Sequence, residues 1–163
     1  AKDFKIEALE KPDLALSVFD DWAVDVLRVS RKKIAMATHV KTKLTFFIPY
    51  MASKGLKPLI KQIELHFLEF VKNEGLFFPS EQLINIFSSK PTYYKTDNRS
   101  LMGHMKDFKW FLEGEAYLFD YDEIDWASVN MRINERIMNV NHSRNCNCPR
   151  ELRLELIHSN KAP

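Results

Sequence analysis

The sequence predicts an α+β fold, with an antiparallel sheet of three to five strands and helices packed on one side. Three observations carry this reading. Residues 22–29 (WAVDVLRV), 33–38 (KIAMAT) and 43–48 (KLTFFI) are rich in β-branched and aromatic residues and are parted only by short polar connections, SRK and HVKT, the pattern of a meander. From Lys57 onward the apolar residues recur three and four apart, the spacing of a buried helical stripe. No internal repeat or low-complexity segment interrupts the chain, so strands and helices belong to one layered body.

Taken in order, residues 3–9 (DFKIEAL) alternate apolar and polar side chains and read as a short strand before the Pro12 turn. In the meander, Ile34 and Met36 share the core face of the second strand, and Leu44, Phe46 and Ile48 that of the third. Leu59, Ile60, Ile63, Phe67, Phe70 and Val71 mark a helix of about five turns, with Pro58 in its first turn and Gly75 past its end. A second helix follows Pro79, capped by Ser80 and burying Leu83, Ile84 and Phe87. TYYKT (92–96) reads as a further strand. Leu101, Met105, Phe108 and Leu112 then give the next helix its buried stripe. Asp122 starts another, through Ile124, Ala127, Met131 and Met138, and Pro149 opens a short last one. Trp22, Trp110 and Trp126 are expected as core or partly buried anchors.

Length and composition set the class of object. The chain has 163 residues, 45% of them hydrophobic, which suits a single globular domain over 1–163 with one sizeable core. Charged residues are 28% of the chain and the net charge is +2, which excludes a disordered polyelectrolyte. No apolar run approaches the length of a membrane-spanning helix, so no membrane partner is expected. AKDFKIEALEK at the N-terminus shows no secretory signal, so a cytoplasmic location is expected, and the two sequons at Asn98 and Asn141 are discounted. Cys146 and Cys148 are too few for a disulfide scaffold.

Chemistry concentrates at the start of the helix that follows residue 96. Thr96, Asp97 or Asn98 is needed there to cap free backbone amides. Adding Arg99 and Ser100 gives Asn98, Arg99 and Ser100 as an anion-binding set for a phosphate or carboxylate, although the glycine-rich loop of a dedicated nucleotide binder is missing. His104 and Asp107 stand one helical turn apart and are the candidates for proton transfer. A second feature is charge asymmetry. Residues 28–63 carry no acid, and Arg28, Arg31, Lys32, Lys33, Lys41 and Lys43 form a polyanion-binding set for nucleic acid if the connections gather at one end of the sheet. Glu113, Glu115, Asp120, Asp122, Glu123 and Asp125 form the opposite pole. Solvated lysines at strand edges are the plain alternative. His142, Cys146 and Cys148 lack the C-x-x-C spacing and the fourth ligand of structural zinc, so no metal and no cofactor is expected. No nucleophile elbow, zinc-protease or Walker-type motif is present.

Three stretches, DWAVDVLRVSRKKIAMATHVKTKLTFFIP (21–49), KTDNRSLMGHMKDF (95–108) and more faintly CPRELRLELI, resemble an uncharacterised bacterial family known only as a domain of unknown function. Its hallmark string, Thr-x-Asn/Asp-Arg-Ser-x-x-Gly-x-x-x-Asp, maps here onto Thr96, Asn98, Arg99, Ser100, Gly103 and Asp107. The chain departs from it at His104, where serine is typical, and at Lys106, where asparagine is typical, which counts against a catalytic His104. The resemblance supplies no reaction. The functional expectation is a non-enzymatic binding or regulatory domain with an anion or nucleic-acid ligand. The alternatives are an enzyme acting on a phosphate- or carboxylate-bearing substrate at Asn98-Arg99-Ser100, and an assembly protein using its two poles; the sequence sets no oligomeric state.

Overall fold

The computed structural model of the protein describes residues 21–29, 31–50, 56–73, 93, 95–135, 138–139 and 146–147. Strands β1 (Trp22–Val29), β2 (Lys32–His39) and β3 (Thr45–Pro49) form an antiparallel sheet in the order β1-β2-β3. The long strands pair along their whole length, from Trp22 opposite His39 to Val29 opposite Lys32. Thr38 lies opposite Thr45 and Ile34 opposite Pro49 in the second pairing. Each connection contains a residue in the left-handed region, Arg31 at φ 67° and Lys43 at φ 60°, where the Cβ of any residue but glycine is crowded.

Three helices of the α+β fold cover the sheet on both faces, where the sequence reading places them on one. Leu27, Val29, Ile34, Met36 and Phe47 pack against α2 (Arg99–Leu118), through Leu101, Met105, Phe108 and Leu112, and against α3 (Trp126–Glu135), through Val129 and Ile133. Ala35, Ala37, Leu44, Phe46 and Ile48 pack against Leu59, Ile63, Phe67 and Val71 of α1 (Leu56–Asn73). The reason is register. Met36 lies opposite Phe47 and Ala37 opposite Phe46, and paired residues share a face. The Ile34/Met36 and Leu44/Phe46/Ile48 sets therefore point away from each other. The central strand is consequently buried on both sides, from Ile34 to His39.

Other expectations shift by a turn or change type. Tyr93 and residues 95–98 are irregular and not strand, because Thr96 Oγ1 accepts the Asn98 backbone N–H (3.3 Å) and turns the chain into α2. Asp122 lies in a 3₁₀ turn, Tyr121–Glu123. The helix start belongs instead to Asp125, whose carboxylate accepts the amides of Ala127 (3.1 Å) and Ser128 (3.3 Å) and the Ser128 hydroxyl (2.7 Å). Met138 falls in β4 (Met138–Asn139), which pairs with β5 (Cys146–Asn147). Trp22 is an anchor, with ring centres 5.8 Å from Phe46 and 6.2 Å from Phe67, and Trp126 stands against Tyr121 at 5.4 Å. Trp110 is no anchor, being 69% exposed. The strand over 3–9, the helix after Pro79 and the helix after Pro149 lie outside the described residues.

Candidate functional site

The connection between β2 and β3 is held by its own polar side chains. The His39 amide donates to the Leu44 carbonyl (2.8 Å) and the Lys43 amide to the His39 carbonyl (2.9 Å). His39 Nδ1 accepts the Thr42 backbone N–H (3.2 Å) and lies 2.8 Å from the Thr42 hydroxyl. Thr42 Oγ1 in turn accepts from the Leu44 amide (3.2 Å). His39 and Thr42 are each 1% exposed, so these bonds replace water that cannot reach them. The left-handed backbone at Lys43 folds its side chain inward. It is 5% exposed, and its Nζ donates to the Val40 carbonyl. An ammonium carries three donors; Val40 is its one acceptor among the described residues. Burial holds this amine below the usual lysine range.

The second part of the site is the start of α2. Asn98 caps the helix, its Oδ1 accepting the Leu101 amide (2.9 Å), while its carbonyl accepts from Met102 (3.0 Å). Arg99 and Ser100 are exposed, and their backbone N–H groups have no acceptor among the described residues. One turn on, His104 is half-buried and within electrostatic reach of Lys43. Burial holds the imidazole below the usual histidine range, the Lys43 charge presses the same way, and Asp107 opposes them. Asp107 itself is exposed, and no hydrogen bond joins it to His104. Lys43, from the basic set, is thus the cation whose charge reaches His104.

Residues 1–152 match the sequence profile of a domain of unknown function, DUF6933. The chain belongs to this family. No curated protein and no solved structure matches it.

In this DUF6933 chain the six basic candidates do not gather. Arg28, Arg31, Lys32 and Lys33 stand where β1 meets β2, while Lys41 and Lys43 stand at the other end of β2. An eight-residue strand separates those ends by about 23 Å. Lys32 is engaged within the chain: it pairs with Asp122 and lies 4.3 Å from the centre of the Tyr121 ring. The basic and acidic poles therefore touch within one molecule at that point. Among the described residues no three His, Cys, Asp or Glu side chains are grouped to hold a metal, and no helix is long and apolar enough to cross a membrane. His142 and Cys148 lie outside the described residues.

Two residues escaped the sequence reading. Asn134 on α3 accepts the Thr45 amide (2.8 Å) and donates to the Thr45 carbonyl (2.7 Å) and to the Asn130 carbonyl (2.7 Å). Asn130 does the same for Phe47 at 2.7 and 3.1 Å. Both are buried, and together they close the outer edge of β3, whose other edge pairs with β2. The available signal was two asparagines four apart, in step with Val129 and Ile133 on a buried helical stripe.

Proposed function

We propose that the protein is a non-enzymatic binding domain for a compact anion, a phosphate or carboxylate, taken at the N-terminal end of α2. The observation that carries this reading is Lys43, a buried ammonium with one acceptor for its three protons among the described residues, whose charge is felt by His104 on that helix. The amides of Arg99 and Ser100, which have no acceptor among the described residues, and the positive end of the helix favour the same ligand. Arg99 adds a guanidinium able to grip two oxygens. Asn98 acts through the cap, since its oxygen is already engaged. The absence of a His104–Asp107 hydrogen bond favours binding over proton transfer. The split of Arg28, Arg31 and Lys33 from Lys41 and Lys43 favours a small anion over a nucleic-acid backbone.

Thermal melts in sulfate and in chloride at matched ionic strength test the reading. Sulfate at one hundred times its Kd should stabilise the native chain by about 2.7 kcal/mol. Lys43→Met and Arg99→Ala should each lose that gain while keeping the native circular dichroism. Duplex DNA, the comparison ligand, should give no mobility shift at physiological salt. A melting temperature unmoved by saturating sulfate or phosphate overturns the proposal.

A further inference from the structure

Opposite its buried stripe, α2 carries a second one, Arg99, Gly103, Lys106, Trp110, Glu113 and Tyr117, spaced alternately four and three apart, and all six residues are exposed. Trp110 is 69% and Tyr117 90% exposed, a large aromatic area for a solvated helix face. Glycine is a poor helix former, yet Gly103 sits inside this helix with nothing within 4 Å of where a Cβ would project. Nothing in the packing of the described chain requires a glycine there.

The order of charges suggests what fills that space. Two cations, Arg99 and Lys106, flank Gly103 in the N-terminal half of the stripe, and one carboxylate, Glu113, stands in the C-terminal half. The alternating spacing reads the same in both directions, so the stripe is complementary to its own reverse. We infer that the outer face of α2 docks on a second copy of this chain, antiparallel and about a two-fold axis, with Glu113 of each copy lying over Gly103 of the other, between Arg99 and Lys106. The same register sets Lys106 against the partner's Trp110 and Arg99 against the partner's Tyr117, cation over aromatic face, each contact made twice by symmetry. The two helix dipoles oppose. Gly103 is the position that lets the partner's carboxylate descend between the two cations. This inference does not rest on the anion reading. One face of a single helix about 30 Å long offers less area than a permanent dimer buries, so the pair is weak and salt-sensitive.

Sedimentation velocity on the full chain in sulfate-free chloride, from micromolar to millimolar protein, should show a reversible monomer–dimer equilibrium that weakens as chloride rises. Glu113→Lys should weaken it at least tenfold, and the double variant Arg99→Glu, Lys106→Glu likewise. Mixing the two variants should restore a dimer, now heteromeric, because the lysine introduced by Glu113→Lys in one copy meets the two introduced glutamates of the other, while Glu113 of that second copy still meets Arg99 and Lys106 of the first. Circular dichroism confirms that these surface variants fold. A native chain that stays monomeric at all concentrations, as it would if another part of the chain covers Trp110, overturns the inference. So does a mixture of variants that stays monomeric, which would mean that any association uses another register or face.

Discussion

At Asn98 a single side chain does a definable job. Its Oδ1 takes the Leu101 amide at 2.9 Å, and alanine has nothing to replace that acceptor with. Asn98→Ala should therefore cost about 1 kcal/mol, read as a lower urea midpoint at unchanged m-value. Asn98→Asp should keep the cap and gain from its charge beside the positive helix end. Arg99→Ala removes an exposed side chain with no ion pair among the described residues and should stay within about 0.5 kcal/mol in the absence of anion. An Asn98→Ala protein as stable as the native one would mean that water caps the helix equally well. Lys43 is the opposite kind of residue: left-handed and buried, with one acceptor among the described residues, it holds a backbone conformation that costs energy.

Among the elements, α3 and β3 form the most specific pairing in the molecule. A sheet edge with free backbone groups invites other strands. Here the outer edge of β3 is closed by Asn130 and Asn134, each satisfying both the amide and the carbonyl of one strand residue. Asn134→Ala would leave both Thr45 backbone groups buried without partners, at a cost of about 2 to 4 kcal/mol. Asn134→Asp, which sets a buried carboxylate oxygen against the Thr45 and Asn130 carbonyls in place of the NH2 that donates to both, should cost at least as much as alanine. Denaturant unfolding of the three proteins gives that order; a cost below about 0.5 kcal/mol for the alanine variant would show that water reaches the edge. These asparagines also fix the register of α3 on the sheet, because a one-residue slide of β3 would present its outward groups to the wrong partner.

For the whole molecule, the sheet divides the described core into two compartments, and on each side stands a half-buried histidine whose proton affinity is lowered. His66 on α1 stacks on Phe46 with ring centres 5.6 Å apart; burial lowers its affinity for protons, and Glu69 opposes this. His104 on α2 is lowered by burial and by Lys43. Both imidazoles bind protons less readily in the folded chain than in the unfolded one, whose histidines titrate near about 6.5. Stability is then complete above that value and is lost as the pH falls through the folded pKa values. The melting temperature should drop between neutral pH and pH 5, and the double variant His66→Phe, His104→Ser should flatten the drop. A profile unchanged by the double variant would place the acid sensitivity in other groups. Anion binding beside His104 should strengthen over the same range, since a bound anion favours the imidazolium.

The sequence by itself determined the local elements and their class. WAVDVLRV marks β1 residue for residue, the stripe from Leu59 to Val71 marks α1, and Leu101, Met105, Phe108 and Leu112 mark the buried side of α2 with Asn98 as its cap. Each of these is a short-range pattern, in which period and capping chemistry are written in adjacent residues. Kinship with a domain of unknown function was legible too, and the profile match over residues 1–152 shows it. What only the tertiary structure decided depends on register and on distance between segments remote in sequence. Whether the helices cover one face or two hinged on Met36 meeting Phe47 and Ala37 meeting Phe46. The inward turn of Lys43 onto the Val40 carbonyl depended on a left-handed backbone angle, and its effect on His104 on a helix far from it along the chain. The basic run that looked continuous from residue 28 to 43 was divided because an extended strand carries its two ends far apart.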